Sequence, residues 1–475
     1  MKIKNILTLS LLVLLFASCA DRLEVSDPDS LSPESVLDEV GGFESVLLSA
    51  YNRLINFGNG YGQNAFVAPA IMADQLDFFN RTGRYETQYV NAVRAHMGRW
   101  GRYIGINDAN IIISKIDRLR EDPTADADLI DLYKGEALFI RALHYHDLAK
   151  VYGYEPGQEV NGFNLTVPLR LTATDGVSDA FNVSARATNT ELYQQIESDL
   201  QAAIGLLPDV HPSGPYRAGA AAAHGLLARV YLYWGRWADA AAQAEMALTK
   251  TPASLVETKA GYYDSWSAIP HPESVFEIEI RSTDWSTVDG ANNSLNSLSN
   301  NIYSGGQFIL VASTTLVDVM QSEPGDFRDT IFRQVDGIPD GTRLLDKWRG
   351  EKGDFLENIP FMRVSELYLI AAEGYARSGN EGQAQEMLNI LRTARGLSET
   401  SATGAALTDL ILKERQVELA LEGHRWYDLK RLGMGIPKSP AANVPDLSYS
   451  DFRLLAPLSE SDLTLNEMLV QNPGY

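Results

Sequence analysis

The stretch GLLARVYLYWGRWADAAAQAEMALTKTP, residues 225–252, decides the fold of this chain. Small and aromatic residues recur along it at helical spacing, with a glycine in the middle and a proline at the end: Ala228, Tyr231, Gly235, Trp237, Ala240, Ala244, Ala247 and Pro252. A tetratricopeptide repeat places its packing residues at these offsets. Small side chains let two antiparallel helices approach closely, and aromatic side chains fill the groove between them. The stretch therefore predicts a helical hairpin that breaks at Gly235.

The same pattern returns in LYLIAAEGYARSGNEGQAQEMLNILR, residues 367–392. Three further helices are predicted: one at 132–152, its partner at 192–207, and one at 410–432. Because such hairpins cannot bury their apolar faces singly, they must stack on one another. We expect a mainly α fold of about four tetratricopeptide-like hairpins, irregularly spaced and packed against a less regular, loop-rich part.

The helix predicted at 410–432 is apolar along one stripe and strongly charged elsewhere. Its charged residues are Glu414, Arg415, Glu418, Glu422, His424, Arg425, Asp428, Lys430 and Arg431. An active site is one interpretation of this run. Spacings of three and four residues favour ion pairing on a solvated helix surface instead.

The segments between the hairpins are less regular. Residues 275–280 alternate apolar and acidic residues and predict a half-buried strand. Residues 56–89 and 281–307 hold most of the aromatic residues that no helical stripe explains. Loops of this length in a compact protein are usually functional or disordered.

Composition excludes several classes of protein. The chain is 45% apolar and 21% charged, which is not the composition of a disordered, collagenous or disulfide-scaffold protein. Its 40 Lys and Arg and 62 Asp and Glu give a formal net charge of −22. A surface this acidic repels phosphate backbones, so no nucleic-acid partner is expected.

The N-terminus has the pattern of an export signal. Lys2 and Lys4 precede an apolar run at 6–16, and Ala-Ser-Cys follows at 17–19. The run is too short to span a membrane but is typical of a secretory signal peptide. Cys19 is the only cysteine, and cleavage before it would leave it as the first residue. The sequence predicts a signal peptide at 1–18, a lipid-modified Cys19 that anchors the chain, and an acidic tether at 19–30.

Catalytic motifs are missing from the sequence. Asp74 and Asp77 could share a helix face as the carboxylate pair of a glycosidase, although a solvated polar face or a helix cap is the favoured interpretation. His144 and His146 are two residues apart on a predicted helix and cannot chelate one ion together. No HExxH, nucleophile elbow or phosphate-binding glycine motif occurs. We expect a protein that is not an enzyme and that holds no cofactor. No metal-ligating residues are predicted, and the sequence leaves open whether an ion such as Ca²⁺ is held.

Three stretches carry a resemblance to a known family. They are KGEALFIRALHYHDLAKVYG at 134–153, ERQVELALEGHRWYDLKRLG at 414–433 and LLAPLSESDLTLNEMLVQNPGY at 454–475. ANIIISKI at 109–116, GDFRDTIF at 325–332 and FMRVSELYLIAAEGYA at 361–376 lie around them. In this order the chain resembles the SusD/RagB family of outer-membrane nutrient-binding lipoproteins of Bacteroidetes.

The resemblance implies a fold and a function. Four tetratricopeptide-type hairpins would cradle a less regular part that carries the ligand site, with an N-terminal region at 31–252 and a C-terminal region at 253–475. The protein would sit on the cell surface over a SusC-like TonB-dependent outer-membrane transporter and deliver captured oligosaccharides to it. Some members take peptides instead, and an acidic surface would steer cationic peptides. The shared motifs do not identify the ligand residues.

Candidate ligand residues therefore come from side-chain chemistry. Sugars present apolar C–H faces ringed by hydroxyls, so a glycan site needs exposed aromatic rings flanked by Asn, Asp and Arg. Residues 56–89 offer Asp77, Phe79, Arg81 and Tyr85, and residues 281–307 offer Trp285, Asn292, Asn293 and Tyr303. The alternative is that these aromatics are core residues. Helix packing or the core explains the remaining candidates, Trp100, Tyr103, Trp234, Trp237 and Trp426.

Overall fold

A computed structural model describes residues 36–55, 61–96, 98–176, 179–284, 286–300, 306–334, 338–339 and 341–475. The predicted signal peptide, Cys19 and the tether lie outside these ranges, as do Trp285 and Tyr303. Within them, every helix is too short or too polar to cross a bilayer.

Helices dominate the described residues. In chain order they are α1 Val40–Asn52, α2 Ala68–Met72, α3 Glu86–Tyr89, α4 Arg102–Lys115, α5 Ala127–Tyr152, α6 Asn189–Leu206, α7 Ala220–Trp234, α8 Trp237–Lys250, α9 Lys259–Ser265, α10 Thr287–Asn293, α11 Leu295–Ser299, α12 Thr314–Met320, α13 Val364–Arg377, α14 Glu381–Ala394, α15 Gly404–Glu418, α16 Arg425–Arg431 and α17 Glu460–Leu465. A π-helix, Tyr61–Val67, precedes α2.

The long helices stack side by side, as the hairpin pattern predicts. Each helix contacts the next in the order α1, α4, α5, α6, α7, α8 and α13. Helix α13 then packs on both α14 and α15. Gly235 ends α7 in the left-handed region at φ 75°, and alanines of α8 are buried against α7. A Cβ on Gly374 of α13 would lie 2.5 Å from the Trp237 carbonyl oxygen, so small residues do permit the close approach of these helices. The expected mainly α, tetratricopeptide-like fold is confirmed.

The helix predicted at 410–432 is broken in two. α15 ends at Glu418 and α16 begins at Arg425, with a turn between them. Leu421 and Gly423 have positive φ, at 68° and 81°. A Cβ on Gly423 would lie 1.9 Å from the Ala65 carbonyl oxygen. The helix breaks here because the turn packs directly against the backbone of the N-terminal segment, a contact that helical spacing does not reveal.

Of the nine charged residues named for this helix, eight are buried and Arg425 is half-buried, so the prediction of a solvated helix surface is wrong. Glu418 accepts hydrogen bonds from Arg363 and Arg395 at 2.9 and 2.8 Å, and Glu422 accepts from Arg363 at 2.6 Å. We define the central charge cluster as Glu273, Arg328, Lys347, Arg363, Arg395, Glu414, Glu418 and Glu422. Burial alone would raise the pKa of Glu418, but Arg395 and Arg363 hold that pKa well below its usual range.

The strands are short and pair in twos. They are β1 Leu76–Phe78, β2 Leu165–Pro168, β3 Arg186–Thr188, β4 Ser274–Ile278, β5 Leu310–Ala312, β6 Phe332–Arg333, β7 Leu344–Leu345 and β8 Ile359–Arg363, and the antiparallel pairs are β1/β5, β2/β3, β4/β8 and β6/β7. The strand predicted at 275–280 is present as β4, but all five of its residues are buried. Glu277 is tolerated there because it accepts hydrogen bonds from the Ser274 hydroxyl and the Asn358 amide.

The main core joins both halves of the chain. Phe276 of β4 packs against Phe139 of α5 and Phe361 of β8, at ring-centroid distances of 5.1 and 5.7 Å. Trp426 of α16 is 1% exposed and belongs to the same core, which confirms its assignment to packing. The less regular part is therefore bound to the helical layer by continuous apolar contact.

His144 and His146, the two histidines that the sequence places on one helix, are both buried in α5. His144 lies against Gly105 of α4, where a Cβ would meet its Nε2 at 2.3 Å. The described residues hold no group of three or more ligating side chains. Burial lowers the pKa of His144 to about 3, and Arg102 acts in the same direction.

We expect His144 to make the protein acid-sensitive. The unfolded chain takes up this proton near pH 6.5 and the folded chain near pH 3, so stability present at pH 7 is lost as the pH falls through this window. His144→Gln should reduce the loss of unfolding free energy between pH 7 and pH 5 by about 2 kcal/mol. Urea unfolding of both proteins at the two pH values measures this. Equal losses in both proteins would contradict it.

Candidate ligand-binding surface

Strand pairing brings the two loop-rich segments together. β1 pairs with β5 so that Leu76, Asp77 and Phe78 face Ala312, Val311 and Leu310. The ladder continues for one residue, because the Phe79 amide donates to the Ile309 carbonyl at 2.9 Å. Residues that are some 230 positions apart in the sequence therefore share one surface beyond the ends of these strands.

An aromatic pair forms the centre of that surface. The rings of Phe79 and Phe308 stack with centroids 4.3 Å apart and an interplanar angle of 29°. Both side chains are half-buried, so part of each ring faces solvent. Phe308 has φ 37°, and its amide donates to the Ser297 carbonyl at 2.8 Å. Contacts to α11 thus hold Phe308 in a backbone conformation that phenylalanine seldom adopts.

Polar groups border the pair on the side of residues 56–89. Asn80 is exposed, and its amide donates to the Phe308 carbonyl at 2.9 Å. The Arg81 side chain is 56% exposed, and its Nη1 donates to Glu86 at 2.6 Å. Its guanidinium lies over the rings of Phe78 and Tyr89, at 5.0 and 5.3 Å. Arg81 is therefore positioned by packing while its charged end reaches solvent.

On the other side, α10 contributes amide groups. Gln307 donates from its side chain to the Asn292 side-chain oxygen at 3.3 Å, and its backbone amide donates to the Ser297 hydroxyl at 3.0 Å. Asn292 and Gln307 are half-buried. We name Phe79, Asn80, Arg81, Asn292, Gln307 and Phe308 together the aromatic platform.

Three of the residues that the sequence predicts for the site, Asp77, Tyr85 and Asn293, are buried beneath or beside the platform. Asp77 accepts hydrogen bonds from the Tyr89 hydroxyl at 2.7 Å and the Ser439 hydroxyl at 2.8 Å. Tyr85 is 5% exposed, and burial raises the pKa of its phenol. Asn293 is also buried and donates to the Asp289 carbonyl at 2.6 Å. Their polar groups are used within the protein.

Two cations, half-buried Arg425 and buried Lys438, fix the platform to the C-terminal half. Arg425 of α16 binds both oxygens of Asp74 at 3.0 and 2.9 Å. Lys438 donates to the carbonyls of Ile71 and Met72 at 2.7 and 3.0 Å. Burial lowers the pKa of Lys438 to about 7, against the opposing effect of Asp77 and Asp74. Arg425 and Lys438 therefore hold residues 71–74 in place just before β1.

The carboxylates considered for catalysis have structural partners. Asp74 lies in a turn and Asp77 in β1, so the two do not share a helix face as the i,i+3 spacing suggested. Asp74 is not a solvated polar residue either, because it is 2% exposed and paired with Arg425. The structure gives this pair no place as acid and base of one reaction.

Sequence reasoning selected Phe79, Arg81 and Asn292, which the platform brings together, and missed Phe308, Asn80 and Gln307. Phe308 follows the polar stretch GGQ directly and resembles the first residue of a buried strand. Its role depends on the β1/β5 pairing, which has no local signal. Asn80 lies between Phe79 and Arg81 inside the segment 56–89 and is of a residue type that a glycan site needs, so the sequence did offer it.

Comparisons with known proteins agree with this architecture. A family model described as starch-binding and associating with the outer membrane matches residues 28–232, and a model of the SusD family matches residues 346–475. SusD-like protein P2 of Formosa agariphila is 24% identical over an alignment of 526 positions that covers 99% of each chain.

Solved structures share the fold. A putative sugar-binding protein from Bacteroides vulgatus ATCC 8482 superposes with a TM-score of 0.78 at 26% identity, covering 92% of this chain and 98% of that one. A laminarin-binding SusD-like protein superposes with a TM-score of 0.71 at 25% identity, covering 92% and 99%. With matching family models at both ends and a relative aligned along its whole length, this chain belongs to the SusD/RagB family of carbohydrate-binding, outer-membrane-associated proteins.

Proposed function

We propose that the protein is a cell-surface lipoprotein that binds an oligosaccharide or polysaccharide on the aromatic platform and delivers it to a SusC-like TonB-dependent outer-membrane transporter. The observation that carries the proposal is the stacked, part-exposed pair Phe79 and Phe308, bordered by Asn80 and Arg81.

The chemistry of the platform suits a neutral glycan. The exposed parts of the two phenylalanine rings offer an apolar surface for the C–H face of a sugar ring. Amide and guanidinium groups at the border can donate to hydroxyl oxygens, and amide oxygens can accept from hydroxyls. Asp77, Tyr85 and Asn293 then support the platform from within, while Phe79, Asn80, Arg81, Asn292, Gln307 and Phe308 contact the ligand. Trp285 and Tyr303 remain sequence-predicted contributors to the same site.

Neutral glucans are the first ligands to consider. One structural relative is named for binding laminarin, and one matching family model is named for starch. Among the six residues that define the platform, Arg81 is the one cation, which argues for an uncharged ligand over a polyanionic one.

Anchoring through Cys19 and delivery to a transporter complete the proposal. The signal pattern at 1–18, the acidic tether at 19–30 and the outer-membrane association of the family support a lipoprotein that faces outward. In this assignment 31–252 is the N-terminal region and 253–475 the C-terminal region. In this proposal binding and transfer are its activities and it is not an enzyme; in support, the carboxylate pair considered for catalysis, Asp74 and Asp77, is occupied by structural partners.

Calorimetric titration tests the proposal. Residues 20–475 are titrated with starch, laminarin and a panel of other soluble polysaccharides, at 50 and 500 mM NaCl. We expect heat from at least one neutral glycan, with less than a twofold change in Kd between the salt concentrations, because a neutral ligand gains nothing from charge attraction. Binding of cationic peptides that weakens steeply with salt, with no heat from any glycan, would instead support a RagB-like peptide binder.

A further inference from the structure

A small cavity lies between α15, α16 and the residues that follow α16. Its volume is about 290 Å³, and its apolar lining consists of Leu412, Leu419, Leu429, Leu432 and Met434. Met434 is 47% exposed, so the cavity opens to solvent. The aromatic platform contributes no residue to the described lining. We name this space the α15–α16 cavity, and its apolar side chains can hold the body of a small organic molecule.

Arg415 is a buried cation of this lining, and part of its guanidinium has no acceptor. The side chain is 1% exposed, and its Nη2 donates to the two oxygens of Asp428 at 3.1 and 3.3 Å. Its Nε lies 3.9 Å from the nearest oxygen of Glu373, which is too far for a hydrogen bond. Neither Nε nor Nη1 has a hydrogen-bond partner among the residues that the structure describes. An anion in the cavity would supply the acceptor that these buried donors need.

The ion pairs around Arg415 leave one positive charge unbalanced. Arg431 binds both Glu373 and Asp428 at 2.7 Å, and Arg377 binds Glu373 at 2.9 Å. Burial would raise the pKa of Asp428, but Arg415 and Arg431 hold that pKa well below its usual range, so the carboxylate stays charged. Within this group of contacting side chains, three arginines therefore share two carboxylates. A bound anion would complete the balance.

Three other titratable side chains of the lining are paired or neutral. Arg425 binds Asp74 at 2.9 Å, and Lys413 lies 3.4 Å from Glu323. Burial lowers the pKa of His424 to about 4, so its imidazole is uncharged at pH 7. Arg415 is therefore the buried cation of the described lining with donors left for a ligand.

The charge of the lining favours an anion over a cation. Among the described residues it holds three cations and two carboxylates, which are Lys413, Arg415, Arg425, Asp409 and Asp428. Asp409 is exposed, so water and salt screen its charge, whereas Asp428 is buried and bound to arginines. A guanidinium meets a carboxylate through two parallel hydrogen bonds, so a carboxylate fits Arg415 better than a spherical anion does.

We infer that the α15–α16 cavity binds a small monocarboxylate with an apolar ring or chain. The carboxylate accepts hydrogen bonds from Arg415, and the apolar body packs against Leu412, Leu429 and Leu432. A cavity of roughly 150 Å³ is enough for benzene, so this one has room for a ring and its carboxylate. A neutral glycan would leave the guanidinium without a charged acceptor, and inorganic phosphate would leave the leucines against water. The inference goes beyond the proposed function and does not depend on it.

Calorimetric titration of the lipid-free protein with benzoate and with hexanoate at pH 7 tests the inference. We expect a Kd below about 1 mM for at least one of the two acids. Benzyl alcohol and inorganic phosphate should give no heat, because the alcohol lacks the charge and phosphate lacks the apolar body. Glycan binding is titrated separately, so failure of the platform and failure of this cavity are seen independently.

Two variants and a matched control locate the site. Gln416→Glu adds a carboxylate to the cavity wall with no change in side-chain size, and it should raise Kd at least tenfold by competing for Arg415 and repelling the acid. Gln383→Glu makes the same change at an exposed position of α14 outside the described lining, and it should leave Kd within twofold. Arg415→Lys keeps the charge but loses the planar donors, and it should also raise Kd at least tenfold. Thermal unfolding shows whether the Arg415 variant folds, and Gln416→Glu decides the test if it does not.

Three results would each overturn the inference. No heat from either acid at concentrations up to 10 mM would mean that water satisfies Arg415 instead. Equal affinity of the wild type and Gln416→Glu would place the bound acid elsewhere on the protein. Phosphate that binds as tightly as benzoate would show a site for small anions that needs no apolar body.

Discussion

Changing Glu418 to glutamine is expected to lower the free energy of unfolding by about 3–5 kcal/mol, the usual cost of removing one partner from a buried ion pair. Glu418 is fully buried and binds three arginines, Arg363, Arg395 and Arg328. A glutamine keeps the shape but replaces one acceptor oxygen by an NH2 group that faces arginine donors. The arginines would keep their charges without water to stabilise them.

The surrounding protein offers no easy replacement for the lost charge. Arg363 also binds Glu273 and Glu422, and Arg395 also binds Glu273, at distances of 2.6–2.8 Å. These carboxylates already bind the same arginines, so none of them can replace Glu418 without breaking an existing ion pair. The substitution is therefore expected to weaken the contact between α15, the end of β8 and the end of α14.

Urea unfolding at pH 7 measures the effect, with Glu399→Gln as the matched control. Glu399 is exposed between α14 and α15, and the same change there should alter the free energy of unfolding by less than about 0.5 kcal/mol. A Glu418→Gln protein as stable as the control would show that the cluster does not hold the fold together.

Phe308→Ala is expected to weaken glycan binding about 30-fold, or about 2 kcal/mol, the cost typical of removing a central aromatic contact. Truncation removes half of the stacked pair and also the face on which Phe79 packs. Asn80 would keep its bond to the backbone carbonyl at position 308, so the polar border stays in place.

Calorimetry with the glycan identified in the panel measures this change. Phe181→Ala is the control, because Phe181 is a phenylalanine that is 78% exposed and lies outside the platform, so this change should leave glycan affinity unchanged. Thermal unfolding confirms that the Phe308 variant remains folded. Equal affinity of the two variants would remove the platform from the binding site.

The dense charge of residues 414–433 has a structural explanation that sequence reasoning did not reach. Ion pairs at three- and four-residue spacing indicated a solvated helix surface, yet Lys430 binds Glu155 and Arg431 binds Glu373, each far away in the chain. Spacing rules describe only neighbours on one helix. Burial of these charges depends on partners supplied by other elements.

The sequence by itself determined the helical hairpins, the small residues that let them pack, and the family, because helical periodicity and contiguous motifs are local properties of the chain. The tertiary structure alone decided where α15 ends, since the turn at Leu421 and Gly423 follows from contact with Ala65. It also decided which aromatics form a surface. Phe79 and Phe308 meet only through the β1/β5 pairing, and long-range pairing leaves no periodic signal in a sequence.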